Sequence, residues 1–288
     1  MIKLTLKIIV AAFLFSGCSS APKTVGEEAV EDGAAKPAKP SETKMVEMKP
    51  ADAKAEAPAA PAAEPKDPKY DALNSAVAAG NDDKIKTLSI ELLQNNSKDV
   101  KALNALAMYH FKKGNHEASN MLLTKVLAIN PKSSTAYNNM GMISLARGEK
   151  RDAIENFKKA LEFDSDNYAA GINLGSIYIK EKDYAKVILS LEKAVDDKKA
   201  DLNSMNNYAI ALAATGKPQD AERIYQEILK DSPSNKNVML NLAIVLIEKL
   251  NKPSDGLDLL NRLKFVGADI ESRQVIKDLE IKAKAGLK

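Results

Sequence analysis

The segment AYNNMGMISLARGEKRDAIENFKKALEFD, residues Ala136–Asp164, decides the fold, because its pattern returns every 34 residues along the chain. Small residues recur at this step, at Ala107, Gly141, Gly175, Ala209 and Ala243. Seven residues after the small position, most units carry a loop glycine, namely Gly80, Gly114, Gly148 and Gly216, while Lys182 interrupts the column. A fixed period of this length is typical of an array of stacked helical units.

Each unit contains two amphipathic helices that cross at the small residue, which we count as position eight of the unit. A larger side chain there would hold the two backbones apart. Two further columns are apolar and predict the core: position 24 holds Leu123, Phe157, Leu191 and Tyr225, and position 27 holds Val126, Ala160, Ala194 and Ile228. Position 32 closes each unit with Pro131, Ser165, Lys199 or Pro233, and proline there can stop a helix.

The pattern resembles the tetratricopeptide repeat (TPR) family. This resemblance implies an all-α, right-handed solenoid of about six helix-turn-helix repeats, which begin near residues 66, 100, 134, 168, 202 and 236. The terminal units depart from the pattern, as terminal repeats do. Leu73 replaces the small residue of the first unit, and Lys252 and Pro253 add one residue to the sixth, so that Gly256, Leu260 and Leu263 come one place late. We expect the repeats to span 67–270 and a C-terminal capping helix to follow at 271–288.

The N-terminus predicts a lipoprotein signal peptide over residues 1–17. Lys3 and Lys7 precede the apolar run 8–15, which is too short to span a bilayer, and Ser16 and Gly17 then lead to Cys18. This arrangement resembles a bacterial lipobox, with Cys18 as the lipidated residue carrying acyl chains such as palmitate. The alternative is an ordinary signal peptide followed by an unrelated cysteine.

The resemblance to lipoproteins implies a location in the bacterial cell envelope. Ser19 follows the cysteine where an aspartate favours the inner membrane, so we expect outer-membrane anchoring with the repeats facing the periplasm. Residues 18–66 form a linker rich in alanine, proline, lysine and acidic residues, and this composition predicts disorder. The linker is either a spacer without specific contacts or the carrier of a binding motif.

A row of asparagines marks the candidate binding surface, since the first helix of each TPR unit lines the inner curve of the solenoid. Position six holds Asn139, Asn173, Asn207 and Asn241, and position five holds Asn104, Asn138 and Asn206. A carboxamide can donate to and accept from a peptide backbone. The row therefore suits a protein partner bound as an extended peptide. The alternative is that these amides only hydrate the groove or bond the neighbouring helix.

Apolar side chains surround this row and indicate an amphipathic ligand, unless tight coiling or the capping helix covers them. They include the predicted contacts Met108, Met142 and Ile179, together with Phe111, Leu145, Ile172, Ile210, Leu240, Ile244 and Ile247. A carboxylate clamp is absent, because Lys101 has the clamp's lysine position but Ala105 stands where the clamp needs asparagine.

The remaining residues argue against other classes of function. A net charge of +3 gives no basic face for nucleic acid. The only histidines, His110 and His116, and one cysteine cannot form a usual zinc site, and we expect no metal or cofactor. No phosphate loop, nucleophile elbow or HExxH motif indicates an enzyme. Family analogy therefore offers a membrane-anchored scaffold for an envelope complex (pilus, secretin or gliding machinery), with an adaptor for peptidoglycan hydrolases as the alternative.

Overall fold

The computed structural model describes Lys44, Met45 and residues 67–287, all within one compact unit, 42–288. The predicted signal peptide, Cys18 and the rest of the 18–66 linker lie outside the described residues. Within them the structure is all-α, with thirteen α-helices and no β-strand. None of the helices in this part of the chain has both the length and the apolar character needed to cross a bilayer.

Twelve helices form six consecutive helix-turn-helix pairs, and a thirteenth follows them. The pairs are α1 (Asp71–Ala78) with α2 (Asp82–Asn95), α3 (Val100–Lys112) with α4 (His116–Ile129), α5 (Ser134–Ala146) with α6 (Lys150–Phe163), α7 (Tyr168–Glu181) with α8 (Tyr184–Asp196), α9 (Leu202–Ala214) with α10 (Pro218–Asp231), and α11 (Lys236–Ile244) with α12 (Pro253–Val266). Helix α13 spans Arg273–Gly286. This succession confirms the predicted solenoid of six repeats.

A column of N-terminal caps starts the first helix of five repeats. The side chain of the cap accepts a hydrogen bond from the backbone N–H three residues later, which satisfies a donor that the helix cannot. The caps follow the 34-residue step and are Asp99, Ser133, Asn167, Asp201 and Asn235. Because each cap is worth about 1 kcal/mol, the column helps to fix where these five repeats begin.

The crossing of the paired helices needs a small residue for the predicted steric reason. A Cβ added to Gly141 would lie 2.6 Å from Cε1 of Phe157, and one added to Gly175 would lie 2.7 Å from Cδ2 of Leu191. Both partners are position-24 residues of the same repeat and are fully buried. The residues at positions eight and 24 are therefore in direct contact, and the size of one limits the size of the other.

The turn between paired helices requires a left-handed residue. Gly80, Gly114, Gly148 and Gly216 adopt φ between 62° and 84°. Lys182, which interrupts the glycine column, ends α7 in the same left-handed conformation, with φ of 57°. A lysine side chain makes this conformation costly, whereas glycine adopts it freely.

We expect Lys182→Gly to stabilise the protein by about 0.5–1 kcal/mol, because it removes the strain of a left-handed lysine at a helix C-terminus. Thermal unfolding followed by circular dichroism measures the change. Lys180→Gly is the matched control, since Lys180 lies inside α7 in the right-handed conformation and is exposed. That control should lose about 1 kcal/mol. Equal losses in the two variants would contradict the explanation.

The sixth repeat absorbs its extra residue in a π-helical turn. Val245–Lys249 continues α11 with this wider turn before α12 starts at Pro253. A single inserted residue is the usual origin of such a turn. Gly256 returns to the helix crossing, where an added Cβ would lie 2.4 Å from Cγ1 of Ile247. Helix α13 then packs its buried Ile276, Leu279 and Ala283 into the main hydrophobic core.

Candidate functional site

The first helices of the repeats form the inner face of the solenoid. Helix α3 contacts α5, α5 contacts α7, and α7 contacts α9, whereas the second helices of neighbouring repeats approach each other less. Helices that converge from repeat to repeat lie on the inside of a curve. The asparagine row of α3, α5, α7, α9 and α11 therefore belongs to this inner face, as the resemblance implied.

The asparagines pair with each other across successive repeats. In each pair, the Nδ2 of a position-six residue donates to the Oδ1 of the position-five residue in the preceding repeat. The pairs are Asn139 with Asn104 (3.5 Å), Asn173 with Asn138 (3.0 Å) and Asn241 with Asn206 (3.0 Å). These contacts support the alternative in which the asparagines form hydrogen bonds with the neighbouring helix. Part of the hydrogen-bonding capacity of each paired amide is used inside the fold.

Burial removes two members of the row from the predicted contact surface. Asn206 and Asn241 have no exposed area, and their side chains are hydrogen-bonded to each other. Both were predicted to touch a partner, but the pairing of α9 with α11 encloses them. Asn138, Asn139 and Asn207 are also buried, while Asn104 and Asn173 are half-buried.

The pairing is broken at one position, and a separate set of polar atoms on the same helix has no hydrogen-bond partner. Asn207 is at position six, but the preceding repeat has Ile172 at position five. Within the described residues, Oδ1 of Asn203, Nδ2 of Asn206 and Oδ1 of Asn207 are buried and make no hydrogen bond. These three residues lie on one helix, α9, and we call them the α9 asparagine cluster. Two acceptors and one donor in this cluster are therefore enclosed in the fold without a hydrogen bond.

The apolar side chains of the inner face divide it into two halves. In the open half, Met108, Phe111, Met142 and Ile172 are half-buried and Leu145 is 40% exposed. In the closed half, which runs from the end of α7 through α9 and α11, the corresponding side chains are at most 9% exposed, namely Ile179, Ile210, Leu240, Ile244 and Ile247. The predicted partner contact Ile179 is thus part of the core, where it is 3% exposed.

Methionine contributes directly to the open half. Nδ2 of Asn138 lies 4.0 Å from Sδ of Met142, so the thioether sits beside the asparagine row. Methionine is flexible and polarisable, and it adapts to varied apolar ligands. Met108 occupies the equivalent position of the preceding repeat.

The histidines take part in packing between rings. The His110 ring meets Tyr109 edge-on with 5.3 Å between centroids, and His116 meets Phe111 at 5.5 Å. Among the described residues, no three histidine, cysteine or acidic side chains are grouped so that they could hold a metal ion. Lys101, the lysine at the clamp position, lies over the Tyr70 ring with Nζ 4.7 Å from the centroid.

Sequence reasoning found most of the inner face but considered Asn203 only as a failed position of the carboxylate clamp, although its unpartnered oxygen joins the α9 asparagine cluster. It also missed a contact outside the inner face. Tyr225, a core residue of the second helix α10, donates a hydrogen bond from its hydroxyl to Sδ of Met45. The position of Asn203 on the same helical face as Asn206 and Asn207 was the available signal.

Two family models described as the tetratricopeptide repeat match the chain, one over residues 212–275 and the other over 100–133, 134–167 and 172–196. Together these residues make up just over half of the chain. No curated protein has a matching sequence.

Solved structures with a similar fold include YrrB, described as a TPR protein with an unusual peptide-binding site. YrrB has a TM-score of 0.56 and 18% identity over 68% of this chain and 97% of its own. MamA AMB-1 has a TM-score of 0.51 and 19% identity over 61% of this chain and 97% of its own. PilF of Pseudomonas aeruginosa has a TM-score of 0.49 and 22% identity, with coverages of 67% and 93%.

At these identities the likeness to solved structures shows the fold alone. It agrees with the matched family models and with the six helix pairs, the small residues at their crossings and the left-handed turns between them. The chain contains tetratricopeptide repeats.

Proposed function

We propose that this protein is a scaffold that binds an extended peptide of a protein partner along its inner face. The amides of Asn104 and Asn173 and the thioethers of Met108 and Met142 carry the proposal, because these four side chains of the inner face are only half-buried. A carboxamide can donate to the C=O groups and accept from the N–H groups of a peptide backbone.

The open half of the inner face supplies the entry for such a ligand. Half-buried Met108 and Met142 give apolar contacts, and Asn104 and Asn173 are the least buried amides of the row. An amphipathic extended segment fits this combination of amides and thioethers. YrrB, a TPR protein of the same fold with an unusual peptide-binding site, supports this class of ligand.

The proposal includes a location in the cell envelope through a lipid on Cys18. Its support is the sequence of the N-terminus, where Lys3, Lys7 and a short apolar run precede Ser16, Gly17 and Cys18. Assembly of a pilus, secretin or gliding complex is the kind of task proposed for the scaffold.

Photocrosslinking in cells tests the binding face. A photoreactive residue at Met142 should give one dominant adduct that fractionates with membranes, and Cys18→Ser should release this adduct from the membrane fraction. The control position is Met121, which is 65% exposed on the second helix α4. We expect no dominant adduct there. Equal patterns of adducts from Met142 and Met121 would count against the inner face.

Matched asparagine variants test the chemistry of the captured contact. Asn173→Ala with Asn207→Ala should weaken binding of the identified peptide about ten-fold or more, because each amide hydrogen bond contributes about 1 kcal/mol. Asn120→Ala with Asn156→Ala is the control, since both residues lie on second helices. Isothermal titration calorimetry measures the affinities. Unchanged affinity in the inner-face pair would remove the asparagines from recognition.

A further inference from the structure

The second helix of the last repeat, α12, exposes a large apolar side chain near its C-terminus. Phe265 is 94% exposed, and its neighbour Val266 is 37% exposed. The equivalent place in the second to fifth repeats holds an alanine or a charged residue, namely Ala128, Glu162, Asp196 and Lys230. A phenylalanine buries on the order of 150–250 Å² when it is covered, so Phe265 is a strong candidate for contact with another molecule.

Phe265 lies at one end of a stripe along α12. Residues three or four positions apart share one side of a helix, and six residues of α12 follow this spacing. They form what we call the α12 stripe: Asp255, Asp258, Leu259, Arg262, Phe265 and Val266. All of them except Leu259 are exposed. The two carboxylates lie in the N-terminal half of the stripe, whereas Arg262 and Phe265 lie in its C-terminal half.

The α12 stripe borders a groove between the second helices of the fifth and sixth repeats, which we call the α10–α12 groove. The groove has a volume of about 390 Å³. Four leucines line it, namely Leu229, Leu242, Leu246 and Leu259, together with the more polar Gln226, Lys230, Asp255, Asp258 and Arg262. A cavity of about 150 Å³ with aliphatic walls can hold benzene, so this groove has room for a phenyl ring.

The charges of the α12 stripe are not used inside the fold. Asp255, Asp258 and Arg262 form no ion pair with another described residue, although Asp258 and Arg262 are four positions apart on one helix. Other charges nearby are paired, since Nζ of Lys252 lies 2.8 Å from Oε2 of Glu222. The stripe therefore presents acidic side chains at one end, a basic side chain at the other, and an apolar groove beside them.

We propose that two copies of this chain associate through their α12 stripes, which lie antiparallel about a two-fold axis. In this arrangement Asp258 of each copy is opposite Arg262 of the other, because the axis passes midway between them. Phe265 of each copy then lies at the level of Asp255 of the other and enters its α10–α12 groove. The surface is thus complementary to itself, as a two-fold interface requires. The opposite charges fix the register of the two helices.

This dimer goes beyond the proposed function, because it uses the second helices of the repeats and leaves the inner face to a peptide. Phe265 supplies the apolar anchor, and the leucines of the groove supply the pocket that receives it. Interfaces commonly depend on a few such aromatic anchors that fill pockets of the partner.

Analytical ultracentrifugation of the full chain tests the dimer. Every protein in the series carries Cys18→Ser, because Cys18 is the only cysteine and its removal prevents disulfide bridges between copies. The chain should sediment as a dimer in the micromolar range, and Phe265→Ser should weaken the dimer at least about ten-fold. Leu189→Ser is the matched control, since Leu189 is 75% exposed on α8, away from the stripe and the groove. It should leave the dimer unchanged.

Charge reversal tests the antiparallel arrangement of the two helices. Asp258→Arg or Arg262→Asp places like charges opposite each other, so each should weaken the dimer at least about ten-fold. The double variant restores opposite charges and should recover most of the lost affinity. Both side chains are exposed, so circular dichroism should show that the variants fold normally.

Three results would overturn the inference. They are a monomer throughout the micromolar range, equal effects of Phe265→Ser and Leu189→Ser on the dimer, and a double charge variant that associates as weakly as the single ones. None of these results bears on the proposed function, because crosslinking from Met142 tests the inner face separately.

Discussion

Leu279→Ala should destabilise the C-terminal end of the solenoid by about 2–5 kcal/mol, the usual loss for a leucine truncated in a core. Leu279 is 1% exposed on α13 and belongs to the same hydrophobic cluster as Leu260 and Leu263 of α12. A terminal repeat has a neighbour on one side only, so α13 supplies the contacts that a seventh repeat would have made. Truncation of its central leucine should release α13 and leave the sixth repeat with an exposed edge.

Ile281→Ala is the control for this experiment, because Ile281 lies on the same helix and is 61% exposed. Its stability should change by less than about 0.5 kcal/mol. Hydrogen exchange resolves the effect by helix, and protection should fall in α13 and α12 while α5 keeps its protection. Similar changes in the two variants would show that α13 is not a structural cap.

The 34-residue step was enough to predict the helix pairs, because the two helices of each repeat pack through residues at the same few positions. The small residue and the position-24 residue touch in each repeat, as Gly141 and Phe157 do. This constraint is local, so it leaves a clear trace in the sequence. The caps from Asp99 to Asn235 obey the same step but change residue type from unit to unit. Different oxygens can accept the same hydrogen bond, so this column was missed.

The inner face could be predicted only in part, since its exposure depends on contacts between residues distant in sequence. Ile179 and Met142 look alike as inner-face positions, yet one is in the core and the other is half-buried. The pairing of Asn241 with Asn206 joins position six to position five of the preceding repeat, a relation that a column of identical residues does not reveal. The contact of Met45 with Tyr225 has no sequence signature at all. The lipid on Cys18 stays a prediction, because Cys18 lies outside the described residues.

Gly141→Ala should cost about 1–3 kcal/mol, the range expected when a methyl group is forced into a packed core. The added Cβ would lie within 3.0 Å of three atoms of the Phe157 ring, and that ring is fully buried. The second repeat avoids the same steric clash with a different pair of side chains. Ala107 and Leu123 hold the equivalent positions there, and both are fully buried.

Phe157→Leu should therefore rescue Gly141→Ala. Alone, Phe157→Leu destabilises the protein, because it leaves a cavity beside Gly141. In the double variant the added methyl group fills part of that cavity, so the combined loss should be at least 1 kcal/mol smaller than the sum of the two single losses. Urea unfolding of the four proteins in the cycle measures this coupling. If the two losses simply add, the residues at positions eight and 24 do not depend on each other. The contact between them would then not explain why both positions recur every 34 residues.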